Sequence, residues 1–423
     1  MLTGVVIIND LSRAAGGATS LALLSARLLR ERDVPVTFVT GDAGEGRAEL
    51  EALGVRVVSL GSAPLLERGR ARSLLTGLYN LSAFRMMRAW IAENDQPGLV
   101  YHLHTWSRIL SPAIFHALKP VADRMLIHAH DYFLTCPNGL QYNFRSAHAC
   151  QRTALSPACL LTHCDKRSYG QKLWRSSRQS VRQALFDVAA GSSQVITIHP
   201  NMRATFLRAG LPASQVHLIR NPAEPFTRED LSPQRFAKFY MISRLNPEKG
   251  FEDAAAAARL AGVHLAIIGD GPGRDLLRTH YPEVEVLGWR AKSEIGALLV
   301  DARAVVVPSR GPEPFGMAAV EAAGSGLPII INDQANIAEE AVQGGFGLTF
   351  TTGSVAALAA TMRGLADNDA LIERMSGQAR SQAKELTQSE SAWCDQLMDR
   401  YRVCLVEAGG TARPPMMQEG FAS

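Results

Sequence analysis

Two cations and two carboxylates in the second half of this 423-residue chain are spaced to hold an anionic, hydroxyl-rich ligand. Arg244 and Lys249 flank a turn between an apolar run ending near Ser243 and a helix pattern starting at Phe251. A strand-to-helix turn presents free backbone N–H groups and the positive end of a helix, so two added cations make it an anion site. The next apolar run ends in Gly269-Asp270-Gly271-Pro272, where Gly269 and Gly271 permit a backbone approach that a side chain would block. Further on, Glu313 and Glu321 bracket Pro314-Phe315-Gly316 and a helix pattern. Their separation of eight positions is a little over two helical turns, so Glu313 sits at the loop and Glu321 further along the same side. Two carboxylates so placed can accept hydrogen bonds from hydroxyls at two points of one extended ligand.

These residues need elements to hold them, and the chain supplies a repeated rhythm of short apolar runs and longer helical patterns. Expected strands are Val5 to Ile8, Val36 to Val39, Val55 to Leu60, Leu99 to His104, Met125 to His130 and Val195 to His199, with a helix from Gly17 to Arg32 after the pair Gly16-Gly17. The rhythm restarts after Pro222–Pro225, with strands at Phe239 to Ser243, Leu265 to Ile268, Val284 to Leu287, Ala304 to Val307, Pro328 to Ile331 and Leu348 to Phe350. Alternation of this kind is that of a parallel sheet covered on both faces. The reading is an α/β chain of two Rossmann-like, doubly wound domains facing a central cleft, where ligands bind outside the carboxyl ends of the strands. The expected boundaries are 1–222, 223–388, a helix over 389–408 and a disordered tail over 409–423.

Taken in order, "SRLNPEKG", "GDGP", "LGW" and "EPFGMAAVEAAGSGLP" resemble the motifs of the retaining glycosyltransferases of family 4, which have the GT-B fold. The resemblance covers about 90 residues of the second half. It implies that Arg244 and Lys249 bind the diphosphate of a UDP- or GDP-sugar, that Glu313 with Pro314, Phe315 and Gly316 meets the donor sugar, and that Glu321 meets the ribose. It implies that Gly16 and Gly17 belong to a glycine-rich loop near the diphosphate and acceptor, with Gly269 and Gly271 also at the donor. His130 in "LIHAHDYF" matches a position beside the transferred sugar, and His104 in "VYHLHTW" an outer cleft position. The last helix resembles the segment that crosses back to the first domain. The acceptor implied is a hydroxyl of a glycan or of a polyprenyl-diphosphate-linked glycan, in cell-surface polysaccharide synthesis. The alternatives are a sugar-nucleotide 2-epimerase and a catalytically inactive GT-B scaffold.

Arg244, Lys249 and a helix terminus can stabilise a departing diphosphate electrostatically, so no catalytic metal is expected. Asp367-Asn368-Asp369, which contains the one Asp-x-Asp of the sequence, follows no expected strand and reads as a solvated turn. Cys136, Cys150, Cys159 and Cys164 fall within 29 residues but lack a C-x-x-C pair. They are read as reduced thiols packing an irregular loop, with a structural metal as the alternative.

Residues 1–222 carry 25 Lys+Arg against 14 Asp+Glu, and residues 223–423 carry 19 against 26, giving halves of +11 and −7. A basic half facing an anionic partner is expected, and the stretch Lys166, Arg167, Lys172, Arg175, Arg178, Arg182 with Tyr169, Leu173 and Trp174 suggests an anionic membrane surface rather than nucleic acid. The N-terminus lacks the basic start of a signal peptide, and no run of about 18 uncharged apolar residues occurs, so a cytoplasmic protein bound peripherally at the inner face of the membrane is expected.

Overall fold

A computed structural model describes residues 1–410 except Ala15, Arg68 and Ala147; the rest of the expected tail lies outside the described residues. The fold has two large sheets. The first holds β1 (Gly4–Asn9), β2 (Val36–Thr40), β3 (Arg56–Ser59), β4 (Leu99–Leu103) and β5 (Met125–Ala129). After a hairpin of β6 (Tyr142–Asn143) and β7 (His148–Ala149) come β8 (Gln194–Thr197) and β9 (Val216–Leu218). Its order is β3-β2-β1-β4-β5-β8-β9. The pairs β1 with β2, β1 with β4, β2 with β3 and β4 with β5 are all parallel.

The second sheet holds β10 (Lys238–Ile242), β11 (Leu265–Ile268), β12 (Glu285–Gly288), β13 (Ala302–Val307), β14 (Ile329–Asn332) and β15 (Gly347–Phe350). It is fully parallel in the order β12-β11-β10-β13-β14-β15. Strands covered on both faces read as unbroken apolar runs, and Val5 to Ile8 in β1 and Leu265 to Ile268 in β11 are buried throughout. Around the second sheet, Phe239, Met241, Ile267, Val306 and Ile330 pack with Phe251, Ala254 and Ala258 of the Phe251–Ala261 helix and with Leu358 and Met362 of the Val355–Ala366 helix. In both sheets the loops that carry the candidate site residues follow strand carboxyl ends, the arrangement expected of doubly wound folds.

By contacts the chain divides into Met1–His128 with Val181–Val195 and Cys394–Ser423, and Ala129–Ser180 with Ile196–Trp393. The long Glu390–Gly410 helix thus has most of its length in the first unit, where the Tyr401 hydroxyl lies 2.7 Å from His102 Nδ1. In that unit the buried Asp10 carboxylate accepts the backbone N–H groups of Arg108, Ile109 and Leu110 at 2.8 to 2.9 Å, fixing the segment that leaves β4. Four elements differ from the sequence reading. His199 does not close β8 but caps the Pro200–Arg208 helix, its Nδ1 accepting the Asn201 N–H at 3.1 Å, because Pro200 suits the first helical position and cannot extend the strand. The three-residue β9 and the two-residue strands β6 and β7 are too short to show periodicity.

From Tyr169 the basic stretch is a helix, Tyr169–Leu185, whose cations do not form a surface face, while Lys166 and Arg167 precede it and are exposed. Lys172, Arg178 and Arg182 are buried, and Arg175 reaches the buried Asp165 at 3.3 Å. The Arg178 guanidinium lies 4.9 Å from the Phe133 ring centre and 5.3 Å from that of Trp174. The cations recur three or four positions apart, so one stripe of the helix carries them, and that stripe turns inward. This corrects the expectation of a cationic face laid on a membrane. Arg178→Glu, which places an uncompensated charge under these rings, is expected to destabilise the protein by roughly 3 kcal/mol. Thermal melting followed by circular dichroism reads this, and an unchanged transition would return the helix to the surface.

Candidate active site

The turn after β10 is built by backbone pairing with the next loop. Leu245 N–H donates to Asp270 O at 2.9 Å, and Gly273 N–H donates to Leu245 O at 2.9 Å. Gly269 makes that approach possible: its φ is 153°, and a Cβ there would stand 1.8 Å from Ser243 O. Ser243-Arg244-Leu245 and Gly269–Gly273 are therefore one interlocked double loop.

Beyond it, Pro247–Lys249 forms a single 3-10 turn and Gly250 opens the Phe251–Ala261 helix. Arg310 N–H donates to Glu248 O at 2.9 Å, and the Arg310 guanidinium holds Asp253 in that helix, 2.5 Å at the closest approach. These bonds tie the loop after β13 to the turn carrying Lys249. Lys249 Nζ then donates to both oxygens of Glu313, at 2.9 and 2.7 Å, and Ser309 Oγ donates to Glu313 Oε2 at 2.9 Å.

Burial works to raise the pKa of Glu313, but Lys249, Ser309 and the charge of Arg244 outweigh it and hold the carboxyl below its ordinary value. Glu313 is thus a carboxylate at neutral pH. Arg244 itself is exposed and makes no ion pair among the described residues. Its charge nonetheless acts on Glu313 and Glu248.

The Glu313–Gly316 loop is anchored from three sides. Phe315 is buried, Asn336 Nδ2 donates to Pro314 O at 2.9 Å, and Asn336 N–H donates to Glu313 O at 3.2 Å. Gly316 then starts the Met317–Gly324 helix, which carries Glu321. Glu321 is buried; burial raises its pKa, opposed by Lys292, whose Nζ donates to Oε1 at 2.5 Å. It is not the solvated helix charge that a lone Glu would suggest.

His130 is the first residue past β5 and is partly buried; desolvation pushes its pKa down to about 3, so the imidazole is neutral at physiological pH. Two residues on, the Tyr132 hydroxyl accepts from Asn336 Nδ2 at 2.9 Å, which joins the His130–Tyr132 turn to the Glu313 loop. Arg244, Lys249, Gly269, Gly271, Glu313, Pro314, Phe315, Gly316, Glu321 and His130 all lie in the second unit. Gly16 and Gly17 lie in the first, Gly16 preceding the Gly17–Arg30 helix and Gly17 opening it. His104 follows β4 and is buried beside His102 and His128. The sequence reading did not select Ser309, Lys292, Asn336 or Tyr132. Asp367-Asn368-Asp369 is a helix junction in which the Asn368 side chain caps the Asp369–Gln382 helix and Asp369 accepts from Arg303 at 2.8 Å.

Residues 224–382 match the family model for glycosyl transferases group 1, and residues 16–222 match the model for a glycosyl transferase 4-like domain. The chain belongs to the family 4 glycosyltransferases. Its fold is that of GT-B members: the structure of Anabaena HepE in complex with UDP and glucose superimposes with a TM-score of 0.65 at 18% identity, covering 95% of this chain and 99% of that one. Among curated proteins, glycogen synthase of Mycobacterium tuberculosis is 33% identical over 189 residues, 42% of this chain and 44% of that protein. The match thus spans less than half the length of that relative. An uncharacterized 42.6 kDa protein in the cps region of Klebsiella pneumoniae is 24% identical over 349 residues, 79% of this chain and 86% of that protein. In this family 4 chain, no helix among the described residues is long and apolar enough to cross a membrane.

Proposed function

We propose that this protein transfers a hexosyl group from a UDP- or GDP-sugar to a hydroxyl of a glycan or lipid-linked glycan, with retention of configuration and with no divalent metal at the diphosphate. The observation that carries this reading is the Lys249 ammonium held by both oxygens of Glu313 beside the exposed Arg244. Departure of a nucleoside diphosphate builds negative charge, and two preorganised cations at a strand-to-helix turn meet it without a metal ion. Lys249 and Glu313 hold each other in place until a donor diphosphate competes for the ammonium. Glu313, a carboxylate already bound on both oxygens, keeps lone pairs for sugar hydroxyls but is poorly placed to act as a nucleophile. That favours attack of the acceptor on the same face as the leaving group, with a diphosphate oxygen taking the acceptor proton. In this reading Glu321, little more than one turn into the Met317–Gly324 helix, meets the ribose, and the neutral His130 serves as a hydrogen-bonding group rather than a charge.

Two names among similar proteins point the same way: HepE was solved with UDP and glucose, and the mycobacterial relative is a glycogen synthase. Synthesis of cell-surface polysaccharide at a cytoplasmic membrane face belongs to the same proposal. Its support is the basic excess of residues 1–222, which without the Lys166–Arg182 stretch is 19 Lys+Arg against 14 Asp+Glu.

The test is a thermal-shift screen of nucleoside-diphosphate sugars, in which a donor at about 100 times its Kd stabilises by about 2.7 kcal/mol. The shifting donor is then incubated with and without glycan acceptors. Release of the nucleoside diphosphate together with an extended glycan supports transfer. Conversion of the sugar without acceptor would point to an epimerase, and binding without turnover to an inactive scaffold. Transfer is expected to retain full rate during brief exposure to excess chelator, and a strict, reversible magnesium or manganese requirement would contradict the metal-free diphosphate site.

A further inference from the structure

The four clustered cysteines come from separate segments, the loop after β5, the end of β7, the Pro157–Leu161 helix and the loop following it, yet all four line one cavity. The polar groups on that wall suit sulfur. Asn138 bridges two of the thiols: its Oδ1 lies 3.0 Å from Cys136 Sγ, and its Nδ2 lies 3.6 Å from Cys164 Sγ. Lys172, buried with 1% exposure, places Nζ 3.1 Å from Cys159 Sγ. Arg152 Nη1 approaches Cys150 Sγ at 4.0 Å.

A buried ammonium calls for a compensating negative charge. Lys172 makes no ion pair with a carboxylate among the described residues; its contacts are to sulfur, and among side chains the anion that sulfur offers is the thiolate. A thiophilic dication bound by four thiolates carries a net charge of −2, which Lys172 and Arg152 together balance.

We propose that Cys136, Cys150, Cys159 and Cys164 bind a single zinc ion that closes the irregular segment between β5 and the Tyr169–Leu185 helix. Zinc takes four thiolates tetrahedrally at about 2.3 Å, and N–H donors to the sulfurs orient such a shell. Lys172 and Asn138 are those donors. The four cysteines line the cavity with no three of their sulfurs within 4.8 Å of one another, so zinc binding has to draw the segments together around the ion. A rival place exists in the first unit, where ligand atoms of His102, His104 and His128 lie within 4.8 Å of one another. There, however, His102 Nε2 lies 3.2 Å from His128 Nδ1 and His102 Nδ1 lies 2.7 Å from the Tyr401 hydroxyl, so the rings already form a hydrogen-bonded network that an ion would have to break. The cysteine proposal does not depend on the transferase reading.

Metal analysis of the full-length protein purified without added metal is expected to give one zinc per chain, released when a mercurial titrates the thiols. Cys150→Ser and Cys164→Ser each lose the zinc, while Cys394→Ser and Cys404→Ser, on the last helix, keep it. Lys172→Met retains the four ligands and is expected to weaken zinc 10- to 100-fold in competition with a chelator, a readout that survives if a cysteine variant fails to fold. Cobalt exchanged into the parent protein gives the intense visible bands of a tetrahedral thiolate site. Protein without zinc whose four thiols react freely in the native state overturns the proposal. So does iron with acid-labile sulfide, or zinc kept by the cysteine variants and lost in His128→Ala.

Discussion

Arg244→Ala is expected to slow glycosyl transfer roughly 100- to 1,000-fold while leaving the melting temperature of the free protein unchanged. The side chain is exposed and makes no ion pair among the described residues, so its removal costs the resting fold little. Its effect appears when charge develops on a departing diphosphate. Lys249→Ala is expected to lose as much rate but to behave differently at rest, because Glu313 then keeps Ser309 and Arg244 without its closest cation. Burial, which raises the Glu313 pKa, is less opposed in that variant. In the parent, Glu313 is held below its ordinary value, so its contribution to stability is present at neutral pH and is lost only as pH falls through its depressed pKa. In Lys249→Ala that loss begins at higher pH, and donor binding weakens as the medium turns mildly acidic. Single-turnover rates and donor affinities across pH 4.5 to 8 separate the two variants. Equal pH profiles for Arg244→Ala and Lys249→Ala would show that Lys249 does not govern Glu313, and unchanged turnover in either would remove the cation from the donor site.

The parts of this site that sequence revealed are those whose spacing is local. Arg244 and Lys249 share one turn, and Glu313 stands three residues ahead of the glycine that opens its helix, so their types and intervals carry the chemistry directly. The strands were legible for the same reason, since buried parallel strands are continuous apolar runs. What fixes the site in place is not local. Asn336 reaches Tyr132 across 204 positions and Lys292 reaches Glu321 across 29, and neither donor differs in sequence from an ordinary surface residue. Burial of charge was equally hidden. Lys172, Arg178 and Arg182 share a stripe with Ser176 and Gln179, while Tyr169 and Leu173 face outward, so the helix reverses the usual amphipathic assignment and composition alone pointed to the wrong face.

Gly250 and Gly262 flank the same helix and both adopt left-handed backbone, with φ of 71° and 70°, yet replacing them with alanine is expected to give very different results. A Cβ at Gly262 meets nothing within 4 Å, so Gly262→Ala carries only the left-handed penalty, on the order of 1 kcal/mol. A Cβ at Gly250 would stand 2.0 Å from Pro308 O, a backbone atom that cannot rotate away. Relief requires the Lys249–Gly250 turn to separate from the end of β13, which breaks the Arg310 to Glu248 backbone bond and draws Lys249 off Glu313. The combined cost is roughly 4 kcal/mol or more, beyond the ordinary range for a single substitution. Chemical denaturation followed by circular dichroism gives both values, and donor affinity gives the coupling to the site. Gly262→Ala keeps parental affinity, whereas any Gly250→Ala that remains folded loses it. Equal destabilisation by the two variants would mean that backbone strain alone sets the cost, and that the contact between this turn and β13 does not hold Lys249 in position.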